Sequence, residues 1–187
     1  MNVRVSGGVL KGRRLHSVKG VNLRPTSEKV RGAIFSVLSQ RIPSCARVLD
    51  LYAGTGVFGI EALSRGVDWV DFVEMDYKSA RRIRENLEDF SLADKGYVYK
   101  AKVENALNDL SGGYDVVFSD PPYDMVDVQH VMEKLSQNSI VDREGVVILE
   151  HRYDTTIFET YDNLIRTDIR KYGDTAVSFF KLRSDIG

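Results

Sequence analysis

The chain is short of the residues that cross-link, chelate or interrupt: of 187 residues, one is cysteine, three are histidine and four are proline. A single thiol, Cys45, excludes an internal disulfide and fits a reducing compartment. With the histidines scattered, no His/Cys metal cluster assembles from neighbouring positions, so no metal is expected. No apolar run reaches the roughly 18 residues that a membrane span requires. The opening MNVRVSGG has no apolar stretch of the kind a secretory signal carries. The expectation is a cytoplasmic, monomeric protein without a membrane partner, its length suited to one domain with a sizeable core.

A net charge of −1 hides a segregation that is more informative than the total. Residues 1–47 hold ten Lys/Arg against one acid, Glu28, a balance of +9, and the remaining 140 residues carry −10. A basic end on an acidic body suggests a polyanion partner, because lysine and arginine beside phosphates gain affinity by counterion release. A solvated basic arm with no partner has the same composition.

From Arg47 onward, short β-rich runs alternate with helical patterns, as in an α/β domain with a mainly parallel sheet. Strands are expected at 47–53, 69–74, 97–103, 115–119 and 146–150, with helices at 57–65, 77–89 and 127–137 and a short one ending at Leu110. Residues 165–172 and 175–182 are β-rich and joined only by Gly173-Asp174. Two residues suffice for a hairpin and are too few for a parallel crossover, so the sheet is expected to close with an antiparallel pair. Ahead of this core, 3–15 reads as a basic β-hairpin. A helix then begins after Arg24-Pro25 with Thr26 or Ser27 as its cap; Val30, Ala33, Ile34, Val37 and Leu38 form its apolar face. The overall expectation is a Rossmann-like, seven-stranded sheet over residues 26–187, preceded by a basic extension over 1–25 suited to a polyanion.

Two motifs carry chemistry. The first, Asp50-Leu51-Tyr52-Ala53-Gly54-Thr55-Gly56-Val57-Phe58-Gly59, places a G-x-G-x-x-G between a strand and a helix, and Glu74 ends the next strand 20 residues past Gly54. This spacing fits a nucleoside whose ribose hydroxyls meet Glu74. A carboxylate at Asp50 would repel a pyrophosphate but attract the cationic amino-acid end of S-adenosylmethionine, and an antiparallel ending departs from the all-parallel dinucleotide fold. A local turn cap is the plainer role for Asp50. The second motif, Asp120-Pro121-Pro122-Tyr123, ends the fourth expected strand, at the sheet edge where ligands of open α/β folds bind. An exocyclic amine on a base is a poor nucleophile, so methyl transfer needs it in line with the methyl group and needs acceptors for its N–H bonds. Asp120 and a rigid carbonyl among the prolines can accept, and Tyr123 can stack an extruded base. A strand-ending turn with a packed tyrosine would need the same four residues.

These motifs, in this order, resemble amino-group methyltransferases of the class I fold. The resemblance extends further: 4–15 (RVSGGVLKGRRL), 24–31 (RPTSEKVR), 50–66 (DLYAGTGVFGIEALSRG), 72–76 (FVEMD) and DPPY look like the RsmD family of 16S rRNA guanine-N2 methyltransferases. The resemblance spans nearly the whole chain and weakens after Glu150. It implies S-adenosylmethionine as cofactor and S-adenosylhomocysteine as product, with transfer to guanine N2 of 16S rRNA, position 966 in that family, within an assembling small subunit. It implies cofactor contacts at Asp50, Tyr52, Gly54, Gly56, Glu74, Met75, Asn105 and Asp120. Asp120, Pro121, Pro122 and Tyr123 would hold the guanine. Arg24 and Thr26 would help place the RNA. Arg4, Lys11, Arg13 and Arg14 are phosphate candidates, and Arg31 in the same basic stretch is a further RNA candidate. Gly32 departs from the family pattern, in which a glutamate is expected. Competing readings are a methyltransferase for another amino group (adenine N6 or a protein glutamine), an NAD-linked oxidoreductase and a non-catalytic RNA-binding module. The oxidoreductase would need a catalytic domain the chain lacks.

Overall fold

The computed structural model describes residues 3–16, 27–39, 46–110, 112–122, 128–137 and 139–183. In chain order the elements are α1 (Glu28–Leu38), β1 (Arg47–Leu51), α2 (Val57–Ser64), β2 (Trp69–Val73), α3 (Tyr77–Asp89), β3 (Gly96–Tyr99), α4 (Val103–Asp109), β4 (Tyr114–Ser119), α5 (Val128–Gln137), β5 (Val141–Arg152), β6 (Thr160–Tyr161), β7 (Leu164–Tyr172) and β8 (Thr175–Leu182). They build one sheet in the order β3-β2-β1-β4-β5-β8-β7-β6. The first five neighbours run parallel, and β8 enters antiparallel between β5 and β7. The expected closing hairpin is therefore present, turning at Gly173-Asp174 with Gly173 at φ 65°.

The differences from expectation have local causes. An eighth strand, the two-residue β6, pairs with β7 at the edge, too short to leave a periodic signal. The third strand stops at Tyr99 because α4 begins at Val103. The fifth starts at Val141, ahead of its apolar run, where its pairing with β4 slips between Tyr114 and Val116. The N-terminal segment makes a single bridge, Arg4 with Arg14. It closes through Val5 N–H to Arg13 O (3.0 Å) and Gly12 N–H to Val5 O (2.8 Å), a looped hairpin without regular strands.

Apolar layers cover both faces. On one, Phe58 of α2 stacks between Phe35 of α1 and Phe118 of β4 at centroid distances of 4.9 and 3.9 Å. Val3, Val5 and Leu15 bury into this same cluster. On the other, α4 and α5 pack Val103, Leu107, Val131 and Leu135 against Leu49, Val117 and Val147. At α1, Ser27 is the cap, its Oγ accepting from Val30 N–H at 3.2 Å. The buried face is Val30, Ile34, Phe35 and Leu38, with Ala33 and Val37 only half-buried.

Candidate active site

The parallel pairing fixes where the loops meet. Asp50 of β1 sits beside Phe118 of β4, and Leu51 beside Ser119. The glycine loop leaving β1 and the Asp120-Pro121-Pro122 segment leaving β4 thus emerge side by side, on strands about 4.8 Å apart.

The loop is tightly wound. Tyr52 (φ 56°), Gly54 (φ 54°) and Gly56 (φ 72°) all take left-handed backbone, which costs glycine nothing and tyrosine measurably more. Gly56 caps α2 in this conformation. Gly59 is required for another reason: a Cβ there would lie 2.3 Å from the Phe72 ring, so helix and sheet could not approach this closely. Asp50 lies beneath the loop, 1% exposed, and its Oδ2 accepts from Gly59 N–H at 3.0 Å. Burial pushes its carboxyl up to about 8; the Gly59 amide opposes the rise and the Glu74 charge adds to it.

Glu74 clamps the loop from the next strand. Oε2 accepts from Gly54 N–H (2.8 Å) and Oε1 from Asp76 N–H (2.7 Å). Burial raises its pKa, against the pull of these amides. Each carboxylate oxygen keeps a second lone pair, so acceptance from ribose hydroxyls remains open. Met75 beside it is 58% exposed, a bare apolar surface at the loop's rim. Asn105 is exposed on the first turn of α4. Two hydroxyls at this edge, Tyr52 Oη and Ser119 Oγ, are buried without a hydrogen-bond partner among the described residues. Buried polar atoms are normally satisfied, so these two offer positions for the polar groups of a bound molecule. Ser119 was not singled out from sequence; its signal is a hydroxyl that follows the apolar run Val116-Val117-Phe118 at the end of the strand.

At the end of β4, Asp120 is half-buried and engaged with neighbours, Pro121 is buried and Pro122 exposed. Tyr123, Arg24 and Thr26 lie outside the described residues. Arg4, Lys11, Arg13 and Arg14 are exposed, with Arg13 also lying over the Phe90 ring at 5.0 Å. Their segment docks on the C-terminal end of α2, where Ser64 Oγ donates to Gly7 O (2.7 Å) and accepts from Leu10 N–H (2.9 Å). That is the far end of an eight-residue helix from the glycine loop, about 12 Å away along its axis. The basic surface therefore flanks the site at a distance.

Arg31 corrects the expected RNA set. It is 2% exposed, its Nε donates to Glu61 Oε2 at 3.2 Å and its Nη2 to Arg4 O at 2.8 Å, so its charge is spent inside the fold. Glu61, 0% exposed, also accepts from Ser6 N–H and Oγ and from Arg65. Burial alone would raise its pKa, but the Ser6, Arg65 and Arg31 contacts outweigh it and hold the carboxyl below its ordinary value.

A family model described as Conserved hypothetical protein 95 matches residues 3–181. YlbH of Bacillus subtilis strain 168, provisionally named an rRNA methyltransferase, is 34% identical over 184 residues, covering 97% of this chain and 100% of that one. Ribosomal RNA small subunit methyltransferase D of Escherichia coli K12 is 30% identical over 148 residues, 79% of this chain and 74% of that one. The chain belongs to the RsmD family. A solved Escherichia coli structure, provisionally titled methyltransferase yhhF, shares the fold at TM-score 0.88 and 23% identity, covering 99% of this chain and 100% of that chain. The Rossmann-like class I methyltransferase architecture is thus the one expected. The RsmD-family segments distant in sequence meet in space: Ser6-Gly7-Gly8, Arg31 and Glu61-Ala62-Leu63-Ser64-Arg65 form one interlocked cluster. A Cβ on Gly7 would lie 2.1 Å from the Arg65 guanidinium, and one on Gly8 1.9 Å from Ser64 O. Much of the sequence signature therefore records how the extension is fastened.

Proposed function

We propose that this RsmD-family chain transfers a methyl group from S-adenosylmethionine to the exocyclic N2 of a guanine in 16S rRNA, the one at position 966 in the family, during small-subunit assembly. The carrying observation is the adjacency of β1 and β4, which sets Asp120-Pro121-Pro122 beside a glycine loop clamped by Glu74. Glu74 receives the ribose hydroxyls, Met75 and Asn105 border the adenine, and Asp50 with the loop amides faces the methionine end; Tyr52 Oη and Ser119 Oγ supply polar anchors. The bound cofactor supplies an electrophilic methyl group on sulfur. Asp120 and a second acceptor beside it take the amine's N–H bonds, turning its lone pair toward that methyl. Asp120 need not be a strong base, because the amine's proton becomes acidic as the fourth bond to nitrogen forms. Tyr123 stacks the flipped base, Arg24 and Thr26 border the site, and Arg4, Lys11, Arg13 and Arg14 on the 1–25 extension hold the flanking phosphates. The enzyme acts as a cytoplasmic monomer on an assembling particle.

The direct test is methyl incorporation from labelled S-adenosylmethionine into small subunits from cells lacking the gene, followed by nucleoside analysis. A single N2-methylguanosine is expected; incorporation into adenine, or none, overturns the reading. Asp120→Ala should lower transfer by at least about 100-fold while cofactor affinity measured by calorimetry changes less than about threefold. A collapse of that affinity would reassign Asp120 to the cofactor.

A further inference from the structure

One strand beyond Asp120 lies a carboxylate to which the proposed transfer assigns no role. In the parallel pair β4–β5, Phe118 sits beside Ile148 and Ser119 beside Leu149. One step further along this register, Glu150 of β5 stands level with Asp120, the residue that follows β4. Alternation of side chains turns Glu150 toward the face where Phe118 and Ile148 bury. Glu150 is itself 5% exposed. It lines a partly enclosed cleft of about 260 Å³ with the α1 cap Ser27, with Lys29 and Val30 of α1, and with Tyr172, Gly173 and Thr175 of the closing hairpin.

We propose that Glu150 selects guanine, accepting the N1–H and one N2–H of the target base while Asp120 takes the other N2–H. The proposal rests on guanine-N2 transfer as the function and adds the residue that chooses among amino-bearing bases. A carboxylate presents two acceptor oxygens side by side. Guanine presents two parallel donors, the ring N1–H and the amine beside it. Adenine and cytosine carry an acceptor nitrogen next to their amine, which would face the carboxylate lone pair to lone pair. The same cleft holds donors for guanine O6 in the Ser27 hydroxyl and the Lys29 ammonium. Ser27 Oγ accepts from Val30 N–H, which leaves its own hydrogen to give. A site that must hydrogen-bond a ring N–H rejects an analogue lacking it strongly, because its own buried groups are then left unpaired.

The test compares small subunits reconstituted with 16S rRNA carrying either guanine or 2-aminopurine at the methylated position, with wild-type enzyme and Glu150→Gln. 2-Aminopurine keeps the amine but has an acceptor at N1. Wild type should prefer guanine by at least about 100-fold in kcat/KM. Glu150→Gln, whose amide can donate to an N1 acceptor, should shrink that preference at least about tenfold. Intrinsic reactivity differences between the two bases cancel in this ratio of ratios. A Glu150 that only braces the fold would slow both substrates equally, so an unchanged preference overturns the proposal. If the variant proves inactive on both, the ratio of its binding affinities for the two particles, by competition, takes the place of kcat/KM: a shrunken ratio supports the proposal and an unchanged one overturns it. A wild-type enzyme that modifies no guanine at all would instead overturn the underlying function.

Discussion

Asp50 holds a carboxyl in an environment that favours its neutral form. A carboxyl raised from an ordinary value of 3.8 to about 8 contributes stability below its unfolded pKa, and that contribution is lost as pH rises toward 8. Asp50→Asn keeps an oxygen for Gly59 N–H and removes the charge that burial penalises. The free variant should therefore melt higher than wild type, with a gap that opens from pH 4 to pH 8. At pH 8 the gap should reach at least about 1 kcal/mol, or about 2–4 °C for a chain of this size. Calorimetric melts across that range check the sign, and a gap that closes with rising pH would contradict the burial of a carboxyl here. With Asp50 facing the cofactor's cationic amino-acid end, as proposed above, cofactor affinity should also fall in this variant, because a neutral amide cannot balance that charge.

At the scale of elements, α1 and the N-terminal segment each carry a separable cost. Gly32 sits mid-helix, and a Cβ there would meet nothing within 4 Å. Gly32→Ala should therefore stabilise the protein by about 1 kcal/mol, read as a higher denaturant midpoint at unchanged slope. No clash at Cβ explains the absence of the glutamate that the family pattern leads one to expect here. Glu61 is the reverse case, since five hydrogen bonds from Ser6, Arg31 and Arg65 converge on it. Glu61→Ala strands a buried arginine and should cost about 3–5 kcal/mol. It should also free residues 3–16, read as proteolytic cleavage there at rates well above wild type. Because the Glu61 carboxyl is held below its ordinary value, its contribution is present at neutral pH and is lost as pH falls through that depressed value. Acid should consequently loosen the extension.

Over the whole molecule, the cations of the extension lie exposed on a segment docked at the far end of α2 from the glycine loop. Lys11 and Arg14 are exposed without the aromatic contact that Arg13 makes with Phe90, so reversing them should spare the fold. Lys11→Glu with Arg14→Glu should weaken RNA binding and make the slope of log affinity against log salt shallower by about 2. Melting temperature and cofactor binding should stay at the wild-type level. An unchanged slope would return these residues to ordinary solvated charge and leave RNA placement to the active-site edge.

The amino-acid sequence by itself determined the alternation of strands and helices, the glycine loop with Asp50 and Glu74, the Asp120-Pro121-Pro122 segment and the closing hairpin. Each is written in local chemistry: glycine where the backbone turns left-handed, proline where a ladder must end, two residues where only a hairpin fits. Ser27 as the cap of α1 was likewise one of two local candidates. Tertiary structure alone decided what each charge does. Arg31 and Arg14 read alike in sequence, yet one is buried on Glu61 and the other faces solvent, because burial depends on which helix packs opposite. Glu61 and Glu150 gave no periodic signal, since their significance lies in neighbours tens of residues away. The adjacency of β1, β4 and β5, which brings Gly54, Asp120 and Glu150 to one edge, is a property of strand order, and strand order is set by long-range packing that no local window contains.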